Sequence, residues 1–184
     1  MTNVTRLFEF PYYQLEKYHS ISDALVTKQN GVWIKTSTQE YIDKANAISR
    51  ALLKIGVQKD DKIAVISINN RTEWNIVDIG VLQTGAQNVP IYPTISETDY
   101  EYILNHCEAK YCFVSDEEIL IILNAIKKNT SSLVEVYSFN EIDGCKNWKE
   151  LLDLGAHSEN QIEVEERKNN VFPEDLATII YTSG

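Results

Sequence analysis

Tyr181, Thr182, Ser183 and Gly184 stand together at the end of an apolar, β-branched run, Leu176-Ala177-Thr178-Ile179-Ile180. A strand that delivers hydroxyls and a glycine at its carboxyl end can cradle phosphate, because hydroxyls and backbone N–H groups spread anionic charge. The run itself reads as a buried strand. A buried parallel strand needs cover on its far side, so the halt at Gly184 is read as a cut inside a functional loop. The tripeptide Thr182-Ser183-Gly184 is equally compatible with an ordinary turn.

Other chemistries lack their residues. No G-x-G-x-x-G follows a strand, and neither G-x-x-x-x-G-K-[ST] nor a G-x-S-x-G elbow occurs. Ser183 has no specified base that would make it a nucleophile. Asp60-Asp61 reads as a solvated turn and Asp116-Glu117-Glu118 as the acidic start of a helix. His19, His106 and His157 are scattered, and Cys107, Cys112 and Cys145 fit neither a zinc knuckle nor C-x-x-C, so no metal site is expected and the thiols read as reduced.

The 27 acidic and 17 basic side chains give a net charge of −10, and no basic run could track a phosphate backbone, so nucleic acid is not an expected partner. No apolar run approaches the roughly 20 residues that span a bilayer, and no hydrophobic signal core opens the chain, which is expected to be cytoplasmic. Leu7 to Tyr18 is an aromatic and charged segment expected to lie over its own domain, with peripheral membrane contact as the alternative. The organisation expected is an N-terminal segment, 1–30, packed on an α/β lobe, 31–184.

The elements that would position the loop recur about every 25 residues. Gly31 to Thr36 alternates as a strand, and Ser37 with Glu40 forms a capping box for a helix ending at Gly56. Lys62 to Ile68 is a strand covered on both faces, followed by a helix from about Arg71 to Thr84 capped by Asn70. Ala86 to Pro93 is a strand whose Pro90 and Pro93 indicate an edge or terminus. Ser96 with Asp99 caps the next helix, Ile95 and Tyr100 forming its hydrophobic staple. Tyr111 to Val114 is a strand, and Ser115 with Glu118 is read as the cap of a helix reaching Lys128. Leu133 to Phe139 is a strand, Trp148 to Leu154 a helix, and Glu159 to Asn170 a polar connector. This alternation predicts a doubly wound, mostly parallel sheet with helices on both faces, whose ligands bind beyond the carboxyl ends of the strands.

These stretches as a set resemble the N-terminal part of the adenylate-forming (AMP-binding) enzymes, nearest their long-chain fatty acid–CoA ligase branch. The resemblance is carried by Trp33, Thr36 and Glu40, by Asn70-Arg71-Thr72-Glu73-Trp74 with Asp78, by Gly85-Ala86 and Val89 through Thr94, and by Asp175 through Gly184. The closing piece matches the start of the signature loop Tyr-Thr-Ser-Gly-Thr-Thr-Gly-x-Pro-Lys-Gly. It implies a ligase that uses ATP, Mg2+ and CoA to turn a fatty acid into an acyl-adenylate and then a thioester. Tyr181, Thr182, Ser183 and Gly184 become nucleotide-binding residues on this resemblance. The rest of the loop, the metal-binding acid, the acyl tunnel and the catalytic lysine would lie downstream, so no catalytic residue is expected here and the 184-residue chain is expected to be inactive. A homodimer is a further expectation. A non-catalytic interaction module and an adenylating enzyme for another acid or thiol acceptor are the competing readings.

Overall fold

In the computed structural model, which describes residues 4–182, five parallel strands form the central sheet in the order β4-β3-β5-β6-β7. They are β3 (Lys62–Ile66), β4 (Gln87–Ile91), β5 (Ala109–Val114), β6 (Glu135–Ser138) and the short β7 (Lys146–Asn147). β3 and β5 occupy the interior because their residues are apolar on both faces. Ile63 and Val65 point to one helical layer, while Ala64 and Ile66 point to the other.

The first layer holds α2 (Thr38–Lys54), α3 (Thr72–Gln83) and α6 (Trp148–Leu154); the second holds α4 (Glu97–His106) and α5 (Glu117–Ile126). Ser37 and Ser96 cap α2 and α4 as their spacing predicts, each accepting a hydrogen bond from the backbone N–H three residues on. Tyr100 completes the staple inside the core with Ile95 packed against it. Cys107 and Cys112 are buried free thiols and Cys145 is half-buried.

Four readings of the chain change. Leu25–Gln29 is an additional strand, β1, antiparallel to β2 (Val32–Thr36), and the turn between them lies at Asn30 and Gly31, where the sequence suggested a division of the chain. Arg71, in place of Asn70, is the extended residue that precedes α3. Ser115 does not cap α5: its hydroxyl donates to Asp116 and accepts from the Ile68 N–H, so Asp116 takes the N-cap position. The connector at 159–170 is a helix, α7 (Gln161–Asn169), whose single buried side chain, Val164, explains why no apolar stripe announces it.

The N-terminal segment folds as a short turn, Leu7–Glu9, and a helix, α1 (Phe10–Tyr18), against α2 and α3. Phe8 is buried with Ala45, Ile79 and Leu82. Burial pushes the Glu9 carboxyl upward, but hydrogen bonds from the Arg6 side chain and the Thr5 and Arg6 backbone prevail and bring it down to about 2. Among the described residues no helix is long and apolar enough to cross a membrane.

Candidate functional site

The chain reaches the end of the sheet through a polar clasp. Lys59 forms an ion pair with Asp175 at 2.7 Å, and its ammonium also donates to the Asn170 carbonyl. Asp175 in turn accepts from the Phe172 N–H, closing the turn that aims residues 176–182 along β4. Gly85 is required beside this clasp. Its φ is +82°, and a Cβ there would stand 3.2 Å from Lys59 Cγ.

Residues 177–179 then lie parallel to β4. The Asn88 N–H donates to the Ala177 carbonyl, and the Ile179 N–H donates to the Asn88 carbonyl. The expected buried strand is not what forms here. Ala177, Ile179 and Tyr181 turn toward the core and are half-buried, while Leu176, Thr178, Ile180 and Thr182 are exposed. The segment meets one strand, at one bridge; Ala177 packs by Phe8, α2 and α3, Ile179 and Tyr181 pack by the α4–α5 layer, and the alternate side chains are left uncovered, so its apolar run shows the alternation of a half-covered strand.

Beneath it, Asn88 donates its side-chain amide to Asp78 at 2.6 Å. Burial raises the Asp78 carboxyl above its ordinary range, the Asn88 hydrogen bond acting against that shift. Asp78 is therefore the support of the strand that supports the loop.

Of the four sequence-predicted nucleotide residues, the two described, Tyr181 and Thr182, border one cleft but differ in their partners. Tyr181 turns its phenol to the last turn of α4, 2.7 Å from His106 Nδ1. Thr182 is exposed and lines a cleft of about 400 Å³ with Pro90, Tyr92, Thr94, Ile95 and Ile180, beyond the carboxyl end of β4, and the Tyr181 side chain borders the same cleft. Ser183 and Gly184 lie outside the described residues. The cleft is at the position that open α/β sheets use for ligands. Among the described residues no group of three or more His, Cys, Asp or Glu side chains could hold a metal ion.

Two groups that sequence reasoning passed over belong to this region. His106 sits 75 residues from Tyr181, and nothing local to either residue marks them as partners. Asn88 carries no motif; its part follows from lying opposite Thr178.

The Arg71-Thr72-Glu73-Trp74 stretch has a different task. Arg71 reaches Glu73 at 2.9 Å, donates to Asn140 and lies over the Phe139 ring at 5.0 Å. Gln29 donates to Glu73, and the Thr27 and Thr72 hydroxyls meet at 2.7 Å. Burial works to raise the Glu73 carboxyl, yet the Arg71 hydrogen bonds outweigh it and hold it below the usual carboxylate range. This network ties the β1–β2 hairpin over the carboxyl ends of β3 and β6.

Comparison with known proteins gives a consistent result. The model of the family described as "AMP-binding enzyme" matches residues 15–184. The chain is 30% identical over 155 residues to the long-chain-fatty-acid–CoA ligase FadD15 of Mycobacterium bovis, covering 84% of this chain and 25% of that protein. It is 25% identical over 166 residues to the long-chain-fatty-acid–CoA ligase ACSBG2 of Xenopus laevis, covering 88% of this chain and 22% of that protein. Among solved structures, a long-chain-fatty-acid–CoA ligase (FadD1) from Archaeoglobus fulgidus superposes with a TM-score of 0.73 at 18% identity, over 100% of this chain and 36% of that one, which shows the fold. The chain thus spans about a quarter of the length of the curated relatives it matches.

Proposed function

Because the chain belongs to the AMP-binding enzyme family, we propose that it is the N-terminal part of an ATP-dependent long-chain fatty acid–CoA ligase and supplies one wall of its nucleotide site. The match over residues 15–184, with long-chain ligases among the relatives, is the observation that carries this reading. In the reaction proposed for the whole protein, a fatty acid carboxylate oxygen attacks the α-phosphorus of ATP and pyrophosphate leaves. The sulfur of CoA then attacks the acyl carbonyl, its thiol proton is lost, and AMP leaves.

Within this chain the proposed task is to hold the phosphate loop in place. The segment 177–182 is fastened to β4 and α4, and the loop hydroxyl and amide groups, Thr182 through Gly184, would face the β- and γ-phosphates. Among the described residues no group of three or more His, Cys, Asp or Glu side chains could hold a metal ion, and no step is assigned to Mg2+ within this chain. The 1–30 segment and the 31–184 lobe are proposed to act as one scaffold.

Fatty-acid-dependent ATP–pyrophosphate exchange tests the proposal. The 184-residue chain alone is expected to give none, and to bind ATP too weakly for a saturable isotherm at micromolar nucleotide. A longer product of the same gene that completes the loop is expected to catalyse exchange with long-chain acids. Exchange by the 184-residue chain would overturn the first expectation; a longer product that activates only aryl or short acids would overturn the substrate assignment.

A further inference from the structure

We propose that His106 positions the base of the loop that begins at Tyr181, and that Tyr181 is a positioning residue held by His106 and not a ligand of the nucleotide. This rests on the nucleotide reading of the loop and assigns a role within it that the motif alone does not.

The geometry is that of a latch. Tyr181 Oη lies 2.7 Å from His106 Nδ1, and the two rings meet edge to face at 5.7 Å and 86°. Tyr102, one turn earlier in α4, stacks on the imidazole at 5.4 Å and 25°, and so restrains the ring plane. The Cys107 thiol is buried nearby; it faces the Leu104 carbonyl and is a second polar neighbour of the Tyr181 hydroxyl. His106, Tyr102 and Cys107 are all set by α4, which is itself anchored by buried Tyr100, Ile103 and Leu104.

A phenol has one proton to donate. Its O–H is a stronger donor than a neutral imidazole N–H, and an unprotonated ring nitrogen is a better acceptor than a phenol oxygen. The proton therefore stays on Tyr181 and points at Nδ1, which places the imidazole proton on Nε2. Burial, reinforced by Cys107, holds the phenol above its ordinary pKa, so the hydroxyl keeps that proton at neutral pH. With its proton committed, Tyr181 has none to offer a phosphate oxygen.

The latch complements the backbone attachment. Ala177 and Ile179 are fixed to Asn88, and Tyr181, two residues on and facing the same way, is fixed to α4. One attachment through the backbone to β4 and one through the side chain to α4 define both where the segment lies and the direction in which Thr182 leaves it. One attachment alone would leave the exit free to pivot.

The 15N-labelled 184-residue chain tests this with two readouts. A long-range 1H–15N correlation spectrum is expected to show His106 with Nε2 protonated and Nδ1 bare; a proton on Nδ1 would free the phenol to donate elsewhere and overturn the proposal. Amide exchange at Ile179 reports the attachment. His106→Phe keeps the ring and its stack but has no acceptor, and is expected to speed that exchange about fivefold, the scale of one lost hydrogen bond. Tyr181→Phe is expected to do the same, the double variant no more than either single one, and His106→Asn, whose amide oxygen replaces Nδ1, is expected to restore slow exchange. Unchanged exchange in Tyr181→Phe, or equal exchange in the Asn and Phe variants at 106, overturns the latch even where His106→Phe folds poorly. Pyrophosphate exchange by a longer product is read separately: its absence sinks the nucleotide reading while these measurements still judge the latch.

Discussion

β3 and the segment 176–180 are built from much the same residues and end in different surroundings. Ile63 and Ile66 are 0% exposed, whereas Leu176 and Ile180 are 64% and 63% exposed. Composition cannot account for the contrast, since both are short runs of Ile, Ala and β-branched or long apolar side chains. Neighbours account for it. β3 pairs along its length with β4 on one side and β5 on the other and has a helical layer on each face. The 176–180 segment meets one strand at one bridge, and only its alternate side chains, Ala177 and Ile179, pack against the rest of the chain. An apolar run therefore encodes a capacity for burial, and the rest of the chain decides how much of it is used.

The largest effect that separates the two regions is expected at Ile63. Ile63→Ala deletes three buried carbons from a site enclosed by α2 and α3, and is expected to cost about 2–5 kcal/mol, because transfer and cavity contributions add where the surroundings cannot collapse. Urea unfolding measures it. A loss under about 1 kcal/mol would mean that the centre of the sheet relaxes as readily as its edge, and the contrast would fail.

A smaller effect, of opposite sign, is expected at Asp78, which supports the final segment through Asn88. Burial raises the folded carboxyl above its usual 3.8, so the native state holds its proton more tightly than the unfolded chain does. Stability from this group is consequently highest below pH 3.8 and falls as pH rises through the folded value, leaving the carboxylate opposed to folding at pH 7. Asp78→Asn keeps an acceptor for Asn88 and is expected to raise the urea midpoint at pH 7, the gain shrinking toward pH 3.8. An equal change at both pH values would show that the carboxyl is better solvated than its placement indicates.

Much of this architecture is legible locally. The Ser37 and Ser96 boxes start α2 and α4, and Trp148–Leu154 is helical over the span its pattern gives, since capping and periodicity are properties of a few adjacent residues. What escapes is decided at a distance. Leu25–Gln29 is a strand with little apolar alternation, and Thr27 and Gln29 owe their places to Thr72 and Glu73. α7 is polar around nearly its whole circumference; Arg50 reaches its Gln161, Arg6 reaches the Lys168 carbonyl at its far end, and neither link shows in a hydrophobic pattern. At Ser115 a capping box is spelled out but unused: the hydroxyl accepts from the Ile68 N–H and donates to Asp116 instead. The site divides the same way. Tyr181 and Thr182 are marked by their motif, but the part each plays depends on His106 and the β4 cleft, and neither adjoins them in sequence.

The smallest effect completes the contrast. Ile180→Ala removes the same three carbons as Ile63→Ala, yet most of this side chain already touches water. It is expected to change stability by no more than about 0.5 kcal/mol in the same urea titration. Here the size of the loss is diagnostic. A cost approaching that at Ile63 would mean that the outward face of 176–180 is covered in solution, and covering it requires a second molecule, so the loss would deepen with protein concentration. A cost that stays small at every concentration leaves this face bare in the 184-residue chain, with the same type of side chain buried in one strand and wet in the other.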